Sequence, residues 1–387
     1  MAIPAILARS VRLDVAARPT RAPWFLYSVL FASTSVIVGV IWDISWHQTI
    51  GRDTFWTPAH LAIYLGGLVA GAACGWRTLQ VTLAGSPLDR ATAVRVWGFS
   101  GPLGAWVCIW GAFAMLTSAP FDDWWHNTYG LDVKILSPPH ALLAAGICAI
   151  QYGAMLAALA WRNRSTTDRG ELHVLYLFSA ALLLINSATI GSEYLQRWDM
   201  HRSLFYQVAA GVFPFVLVSS ARAGGGRWPA SAMAFMYTAV TLIMIVILPL
   251  FPGRPLLGPI YIHTDHFLPP AFPLLLIAPA LAIDVAMHRM GRARDWRLAA
   301  MIALLFVVTF IGVQWPFANF LTTPWARNWF FAADRMPYGV PPSIQQRWYV
   351  LEPPDHIATG LPLAALAAFV SARCGLWWGN WLSRVQR

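Results

Sequence analysis

Long apolar stretches alternate with short polar segments along most of the chain. Each stretch is close to the ~20 residues that an α-helix needs to cross the hydrocarbon core of a bilayer. This pattern predicts ten transmembrane helices, at residues 24–43, 57–76, 97–118, 138–161, 172–192, 203–221, 229–250, 268–288, 298–315 and 355–382. Helices are expected because backbone amides inside a membrane must be hydrogen-bonded within the protein. We therefore predict an all-α, polytopic integral membrane protein arranged as five helical hairpins.

The composition supports this class and excludes two others. Hydrophobic residues make up 58% of the 387 residues and charged residues only 11%, whereas soluble domains contain about 25% charged residues. An ordinary soluble enzyme is therefore excluded. The 21 tryptophans and 21 phenylalanines need lipid or a very large core around them, which excludes a disordered chain.

The formal net charge of +10 is distributed unevenly between the loops. Most arginines lie before the first span, in the loops that follow even-numbered spans, and near the C-terminus. The positive-inside rule then places both termini in the cytoplasm, with residues 1–23 as a retained basic tail. We accordingly expect the lipid bilayer, and not nucleic acid, as a partner of the chain. Most aspartates and histidines fall in the opposite, exoplasmic loops.

Two successive hairpins carry the same ligand-type residues at nearly the same spacing. These residues are Asp43, His47 and His60 in the first hairpin, and Asp122, His126 and His140 in the second. Residues four apart on a helix share one face, about 5 to 6 Å apart, so each Asp–His pair can hold one ion. The third residue returns at the start of the next antiparallel helix. Asp53 could replace Asp43, and Asp123 could replace Asp122.

The residue types indicate which ions such sites would bind. Two imidazoles and one carboxylate suit copper, iron or zinc better than calcium or magnesium. The Irving–Williams order and an exoplasmic location favour copper, although the same set is the facial triad of non-haem iron enzymes. A purely structural role is the alternative, because aspartate and histidine near a membrane interface also cap helices or pair with arginine. The repetition in two hairpins favours metal binding.

The segment DISWHQTIGRDTFWTPAH, residues 43–60, resembles the signature of one known family. This is the C subunit of the copper membrane monooxygenases, the particulate methane and ammonia monooxygenases. In that family an Asp, a His four later and a His thirteen beyond bind copper, and a second site uses an Asn, a His four later and a His fourteen beyond. Asp122 stands where the family has that Asn. The resemblance covers residues 24–165.

The resemblance implies a function. The chain would be a copper-dependent monooxygenase, or a component of one, in the bacterial inner membrane. It would activate dioxygen at the outer face to oxidise a small apolar substrate or ammonia, together with A- and B-type subunits or as a homo-oligomer. The alternatives are a non-catalytic protein that binds or delivers copper or zinc, and a structural scaffold of a membrane complex.

Residues 166–387 repeat the hairpin layout without the full ligand set, which suggests a degenerate repeat. His263 and His266 are the best candidates there for a further metal site or proton route, with a structural role as the alternative. The predicted loop 316–352 is rich in aromatic residues. Such sequences lie in the headgroup region as an aromatic belt or form a lid over a site.

Overall fold

The computed structural model describes residues 22–130, 137–165, 169–291, 294–341, 343, 349 and 351–387. The predicted fold class is confirmed, since 74% of the chain is helical with almost no sheet. Within the described residues, nine helices are long and apolar enough to cross a membrane. The ten predicted crossings therefore include one that is not a full-length helix.

Eleven helices and one small hairpin follow one another along the described chain. The helices are α1 (Trp24–Thr49), α2 (Pro58–Ala84), α3 (Pro87–Thr92), α4 (Leu103–Tyr129), α5 (Pro138–Arg164), α6 (Arg169–Ile190), α7 (Ser203–Gly224), α8 (Pro229–Ile247), α9 (Ile277–Met290), α10 (Asp295–Leu321) and α11 (Pro354–Leu382). The antiparallel strands β1 (Val94–Val96) and β2 (Phe99–Gly101) precede α4.

The long helices form one bundle with two distinct ends. We call the end where α1 stops and α2 starts the outer end, and the opposite end the inner end. At the outer end, Nε2 of His201 lies 2.8 Å from Oδ1 of Asn319. At the inner end, Arg222 lies 3.4 Å from Asp295. Helices α1, α5, α6 and α7 are the most buried, and α2, α4, α8, α10 and α11 are more exposed.

Glycines bring the backbones of α4 and α5 into direct contact. A Cβ added at Gly146 would lie 2.7 Å from the carbonyl oxygen of Gly111 and 2.7 Å from the amide of Met115. Gly104 and Gly153 form a second contact of this kind one level further along the pair. Small residues at helix crossings allow such close approach in membrane proteins. The pairing fixes the end of α4 next to the start of α5.

The span predicted at 268–288 is wrong in its first part. Helix α9 begins only at Ile277 and has 14 residues, and residues 268–276 are irregular. Three prolines in the sequence LPPAFP explain this, because proline lacks an amide hydrogen and disfavours helical geometry at the residue before it. The irregular segment starts at the outer end beside Thr49, and α9 leads to the inner end. Together they occupy the place of the eighth predicted span.

Side chains of neighbouring helices replace the helical hydrogen bonds that this irregular segment lacks. The amide of Leu268 donates to Oγ1 of Thr49 at 2.9 Å, and the amide of Leu274 donates to Oη of Tyr237 at 2.9 Å. The amide of Leu275 donates to Oε1 of Gln314 at 3.0 Å. All three acceptor residues are buried. Irregular backbone inside a membrane bundle is tolerated where the protein itself supplies such partners.

Other predicted boundaries also differ from the structure. Helices α1, α2 and α4 end at Thr49, Ala84 and Tyr129, beyond the predicted ends at residues 43, 76 and 118. The β1–β2 hairpin occupies the start of the span predicted at 97–118, with positive φ at both turn residues, Trp97 and Gly98, as tight hairpin turns require. Helix α10 continues through a proline to Leu321, so the first residues of the predicted loop 316–352 are helical. A proline inside a helix removes one backbone hydrogen bond without necessarily ending the helix.

The glycine contact between α4 and α5 predicts a selective effect of alanine. Gly146→Ala forces the two backbones apart and should destabilise the protein by about 1–3 kcal/mol, the usual cost of overpacking. Gly75→Ala is the matched control, because a Cβ there has no atom within 4 Å. Thermal unfolding in detergent, followed by tryptophan fluorescence, measures both. Equal unfolding midpoints for the two variants would contradict this account of the packing.

Candidate metal centre

The first hairpin brings four ligand-type residues together at the outer end. Asp43 and His47 lie in the last two turns of α1, and His60 is the third residue of α2. Nε2 of His60 lies 3.1 Å from Oδ1 of Asp43 and 3.4 Å from Oδ2 of Asp53. Nε2 of His47 lies 3.7 Å and 3.6 Å from Oδ2 of the same two aspartates. Asp53 thus joins Asp43 in this first cluster and does not replace it.

These separations fit ligands around one ion. Ligand atoms about 2.1 Å from a tetrahedral ion lie about 3.4 Å from one another. The four N···O separations in the first cluster, between 3.1 and 3.7 Å, lie on both sides of this value. Three of them are longer than an ordinary N–H···O hydrogen bond of 2.7 to 3.2 Å. The ligand atoms of Asp43, Asp53 and His60 all lie within 4.8 Å of one another, so these three residues could hold one ion. His47 lies beside this group, 3.6 to 3.7 Å from the two carboxylates.

A backbone carbonyl sets the tautomer of His60. Nδ1 of His60 lies 2.9 Å from the carbonyl oxygen of Thr54. Because a carbonyl oxygen only accepts hydrogen bonds, Nδ1 carries the hydrogen, and Nε2 of the neutral ring presents its lone pair. That lone pair faces the carboxylates of Asp43 and Asp53, which repel it unless a cation lies among them. The cluster is built for a proton or a metal ion.

The second hairpin repeats the arrangement at the junction of α4 and α5. Asp122 and His126 lie near the end of α4, and His140 is the third residue of α5. Nε2 of His126 and Nε2 of His140 each lie 3.5 Å from an oxygen of Asp122. Nδ1 of His126 lies 3.0 Å from the carbonyl oxygen of Gly130, so the ring again directs Nε2 towards the carboxylate. The two clusters follow one local design.

The second cluster contains one carboxylate where the first contains two. Asp123, the alternative to Asp122, is exposed, and its carboxylate accepts a hydrogen bond from the side chain of Asn127 at 3.3 Å. It does not join the ligand atoms of Asp122, His126 and His140, which all lie within 4.8 Å of one another. The first cluster is therefore the more negative of the two.

A single cavity connects the two clusters. It has a volume of about 520 Å³ and lies between the α1–α2 hairpin and the end of α4. Its wall includes Asp53 and His60 from the first cluster, and Asp122 and His126 from the second. One molecule in this cavity would therefore be within reach of both clusters.

Aromatic and aliphatic side chains complete the wall of this shared cavity. Tyr64 lies one helical turn after His60 on α2, with ring centroids 6.1 Å apart, and Phe55 packs against Tyr64 at 5.2 Å. Leu257 reaches the same cavity from the second half of the chain. Tyr64 also lies within electrostatic range of the carboxylates of both clusters. The cavity thus combines acidic and apolar surfaces.

Loops from the second half cover the first hairpin. The amide of Leu256 donates to the carbonyl of Ile50 at 2.9 Å, and the amide of Tyr338 donates to the carbonyl of Gln48 at 3.3 Å. Gly51 has a φ of +89°, and a Cβ there would lie 1.8 Å from Oη of Tyr338. Glycine is needed at this position for both conformation and space. The second half is therefore part of the structure around the first cluster.

The other candidate ligands of the second half do not form a comparable centre. His263 and His266 are exposed, and Nδ1 of His266 contacts Asp265 at 2.7 Å, which holds the pKa of that carboxyl below its ordinary value. His201 is buried and bonded to Asn319. Among the described residues, the two clusters of the first half are the only groups of three or more that could hold a metal.

Comparisons of the chain with protein-family models, with curated proteins and with solved structures find no match. Fold and site together define the class: a helical membrane protein with two Asp/His clusters that face one cavity at the outer end of its bundle.

Some residues of the site could not be assigned from the sequence alone. Asp53 was predicted only as a replacement for Asp43, and Tyr64 and Leu257 were not predicted at all. For Tyr64 a signal exists, because a residue four after His60 shares its helix face. For Leu257 none exists, since its loop reaches the cavity only through the tertiary fold.

Replacing one histidine in each cluster tests the two sites separately. His60→Ala should lose the metal of the first cluster and His140→Ala the metal of the second, because each removes a ring nitrogen of its cluster. His266→Ala, which removes an exposed histidine outside both clusters, is the control and should keep full occupancy. Elemental mass spectrometry of the purified proteins after loading with copper and dialysis gives the stoichiometry. Full occupancy in both cluster variants, or no stoichiometric metal in the parent, would exclude the metal sites.

Proposed function

We propose that this chain is a copper-dependent membrane monooxygenase, or a C-subunit-like component of one, that uses dioxygen to oxidise a small apolar substrate or ammonia. The observation that carries this proposal is the cavity shared by the two Asp/His clusters. A shared cavity would allow both metal sites to contact one bound molecule. A- and B-type subunits, or a second copy of the chain, are proposed as partners on the resemblance alone.

The donor atoms support a transition metal at both clusters. Imidazole nitrogens combined with carboxylate oxygens suit copper, iron and zinc. The resemblance of residues 43–60 to the copper-binding signature favours copper over the other two. When bound, copper would supply the electron-transfer chemistry of dioxygen activation, which protein side chains do not provide themselves.

The chain's own groups would orient the ligands and shape the cavity. The carbonyls of Thr54 and Gly130 hold two imidazoles with Nε2 towards the carboxylates. Such partners of a ligating histidine fix its orientation, and their loss typically costs 10- to 100-fold in metal affinity or activity. Phe55 and Leu257 give the cavity, which is otherwise largely polar, an apolar surface that a small apolar substrate would contact.

The second cluster differs from the resembling family by one charge. Asp122 carries a carboxylate where the family has a neutral amide. Its two oxygens face Nε2 of His126 and Nε2 of His140. The added negative charge favours a divalent or more oxidised ion over a monovalent one. We infer that the metal at this cluster is held more tightly in its oxidised state than it would be by an asparagine.

A metal carrier is the second candidate function. His47 favours it, because 45% of its side chain is exposed and an exposed ligand allows metal exchange with a partner protein. Against it, the ligand-type residues form two groups at one end of the bundle, and the described part of the chain has no further group along a path across it.

Labelled dioxygen separates an enzyme from a carrier. The test uses cells in which this protein is encoded by one gene, so that each variant replaces the parent completely. Supplied with ¹⁸O₂ and either propane or ammonium, cells with the parent protein should form labelled propanol or hydroxylamine. His60→Ala and His140→Ala should abolish the label, and the exposed variant His266→Ala should not. Mass spectrometry of the products is the measurement. Copper at both clusters with no labelled product in the parent would contradict the monooxygenase and support the carrier.

We also propose an orientation in which both termini are cytoplasmic and the two clusters face the periplasm of a bacterial inner membrane. The arginine-rich loops support it through the positive-inside rule. The hydrogen bonds of α10 to the segment before α7 at the outer end, and to the last turn of α7 at the inner end, are consistent with α7 and α10 running between the same two ends.

Reporter fusions test the orientation. Green fluorescent protein fused after Arg387 should fluoresce, because it folds in the cytoplasm, whereas alkaline phosphatase fused there should be inactive. Phosphatase fused after Gly130, in a chain truncated at that point, should be active because the end of α4 would face the periplasm. The reverse pattern of activities would refute the proposed sidedness.

A further inference from the structure

A second, half-open cavity lies on another side of α1 from the first metal cluster. It has a volume of about 180 Å³ and is bounded by α1, α6, α8, the segment between α6 and α7, and the irregular segment 268–276. Most of its wall is apolar, including Ile44, Ile185 and Leu274, and Gln48, Gln196 and Arg197 add polar groups. It exists because the proline-containing segment passes through the bundle without the side-chain packing of a regular helix.

This second cavity is separate from the cavity of the clusters, although both touch α1. Ile44 and Gln48 line the second cavity, whereas their chain neighbours Asp43 and His47 belong to the first metal cluster. Successive residues of an α-helix are rotated by about 100°, so the same two turns of α1 face two different spaces. A ligand in the second cavity would therefore contact residues other than those of the first metal cluster.

One polar group in this cavity has an unused hydrogen. Tyr237 is 4% exposed, and its hydroxyl oxygen accepts a hydrogen bond from the amide of Leu274 at 2.9 Å. The hydroxyl hydrogen has no acceptor among the described residues. The hydroxyls of Thr189 and Thr241, by contrast, donate to carbonyls of their own helices. A buried donor without a partner costs about 1–3 kcal/mol, which a suitable ligand would recover.

We propose that this cavity binds a small, mainly apolar molecule with one hydrogen-bond acceptor, such as a short or cyclic alcohol or ketone, and that the hydroxyl of Tyr237 donates to that acceptor. The volume matches the size of the ligand. An enclosed cavity of about 150 Å³ holds one benzene molecule, which gives the scale of volume needed. The second cavity, at about 180 Å³, has room for a six-membered ring with one substituent.

Two probes of nearly equal size separate the apolar part of this site from its hydrogen bond. Cyclohexanol has an acceptor, and methylcyclohexane has none. Radiolabelled probe retained by the full-length protein in lipid nanodiscs, above that retained by empty nanodiscs, measures binding. The parent should bind one saturable equivalent of each probe and should prefer cyclohexanol.

Three variants complete the experiment. Ala188→Leu fills the cavity and should abolish saturable binding of both probes, whereas Ala358→Leu, the same change at an exposed position of α11, should leave binding unchanged. Tyr237→Phe should weaken cyclohexanol binding about tenfold and leave methylcyclohexane binding unchanged, as expected for one lost hydrogen bond.

The outcomes that overturn the proposal are distinct. No saturable binding by the parent, or equal binding by the parent and Ala188→Leu, shows that the cavity is not a binding site. Equal effects of Tyr237→Phe on both probes in a protein with unchanged unfolding midpoint exclude the hydrogen bond. These readings use no metal and no turnover, so they stand apart from the proposed monooxygenase activity.

Discussion

Backbone hydrogen bonding is the constraint on which the rest of this structure depends. An amide or carbonyl left without a partner in apolar surroundings costs several kcal/mol. In the described part of the chain, nine long helices satisfy most of these groups internally. The irregular segment 268–276 cannot do so, and buried side chains of α1, α8 and α10 meet its amides. Near the helix ends, carbonyls of Thr54 and Gly130 instead accept from imidazoles. The need to pair backbone groups thus shapes the bundle, its second cavity and the two clusters.

Local spacing predicted the parts of the site that lie within one hairpin. The interval of four between Asp43 and His47 places them on one face at the end of α1, and the proline before His60 places it at the start of α2. The shared cavity was not predictable, because it depends on how the α1–α2 hairpin lies against α4. The eighth predicted span is wrong in its first part because an apolar composition predicts burial, whereas the prolines of LPPAFP decide the backbone conformation.

The two clusters need positive charge whatever ion supplies it. In each, an imidazole whose Nδ1 hydrogen is committed to a carbonyl directs a lone pair at a carboxylate. Protonation and metal binding compete for that nitrogen, so metal affinity has to fall as the solution becomes more acidic. The first cluster has two carboxylates and therefore needs the most positive charge. Its extra negative charge would strengthen cation binding relative to the second cluster.

The loops over the first hairpin have a consequence for how the protein is made. Gly51 and Ile50 belong to the first hairpin that the ribosome releases, but their partners Tyr338 and Leu256 are synthesised roughly 200 to 300 residues later. A nascent chain therefore carries the residues of the first cluster before it carries their cover. The finished environment of that cluster arises only when nearly the whole chain has been inserted, which couples completion of the site to completion of translation.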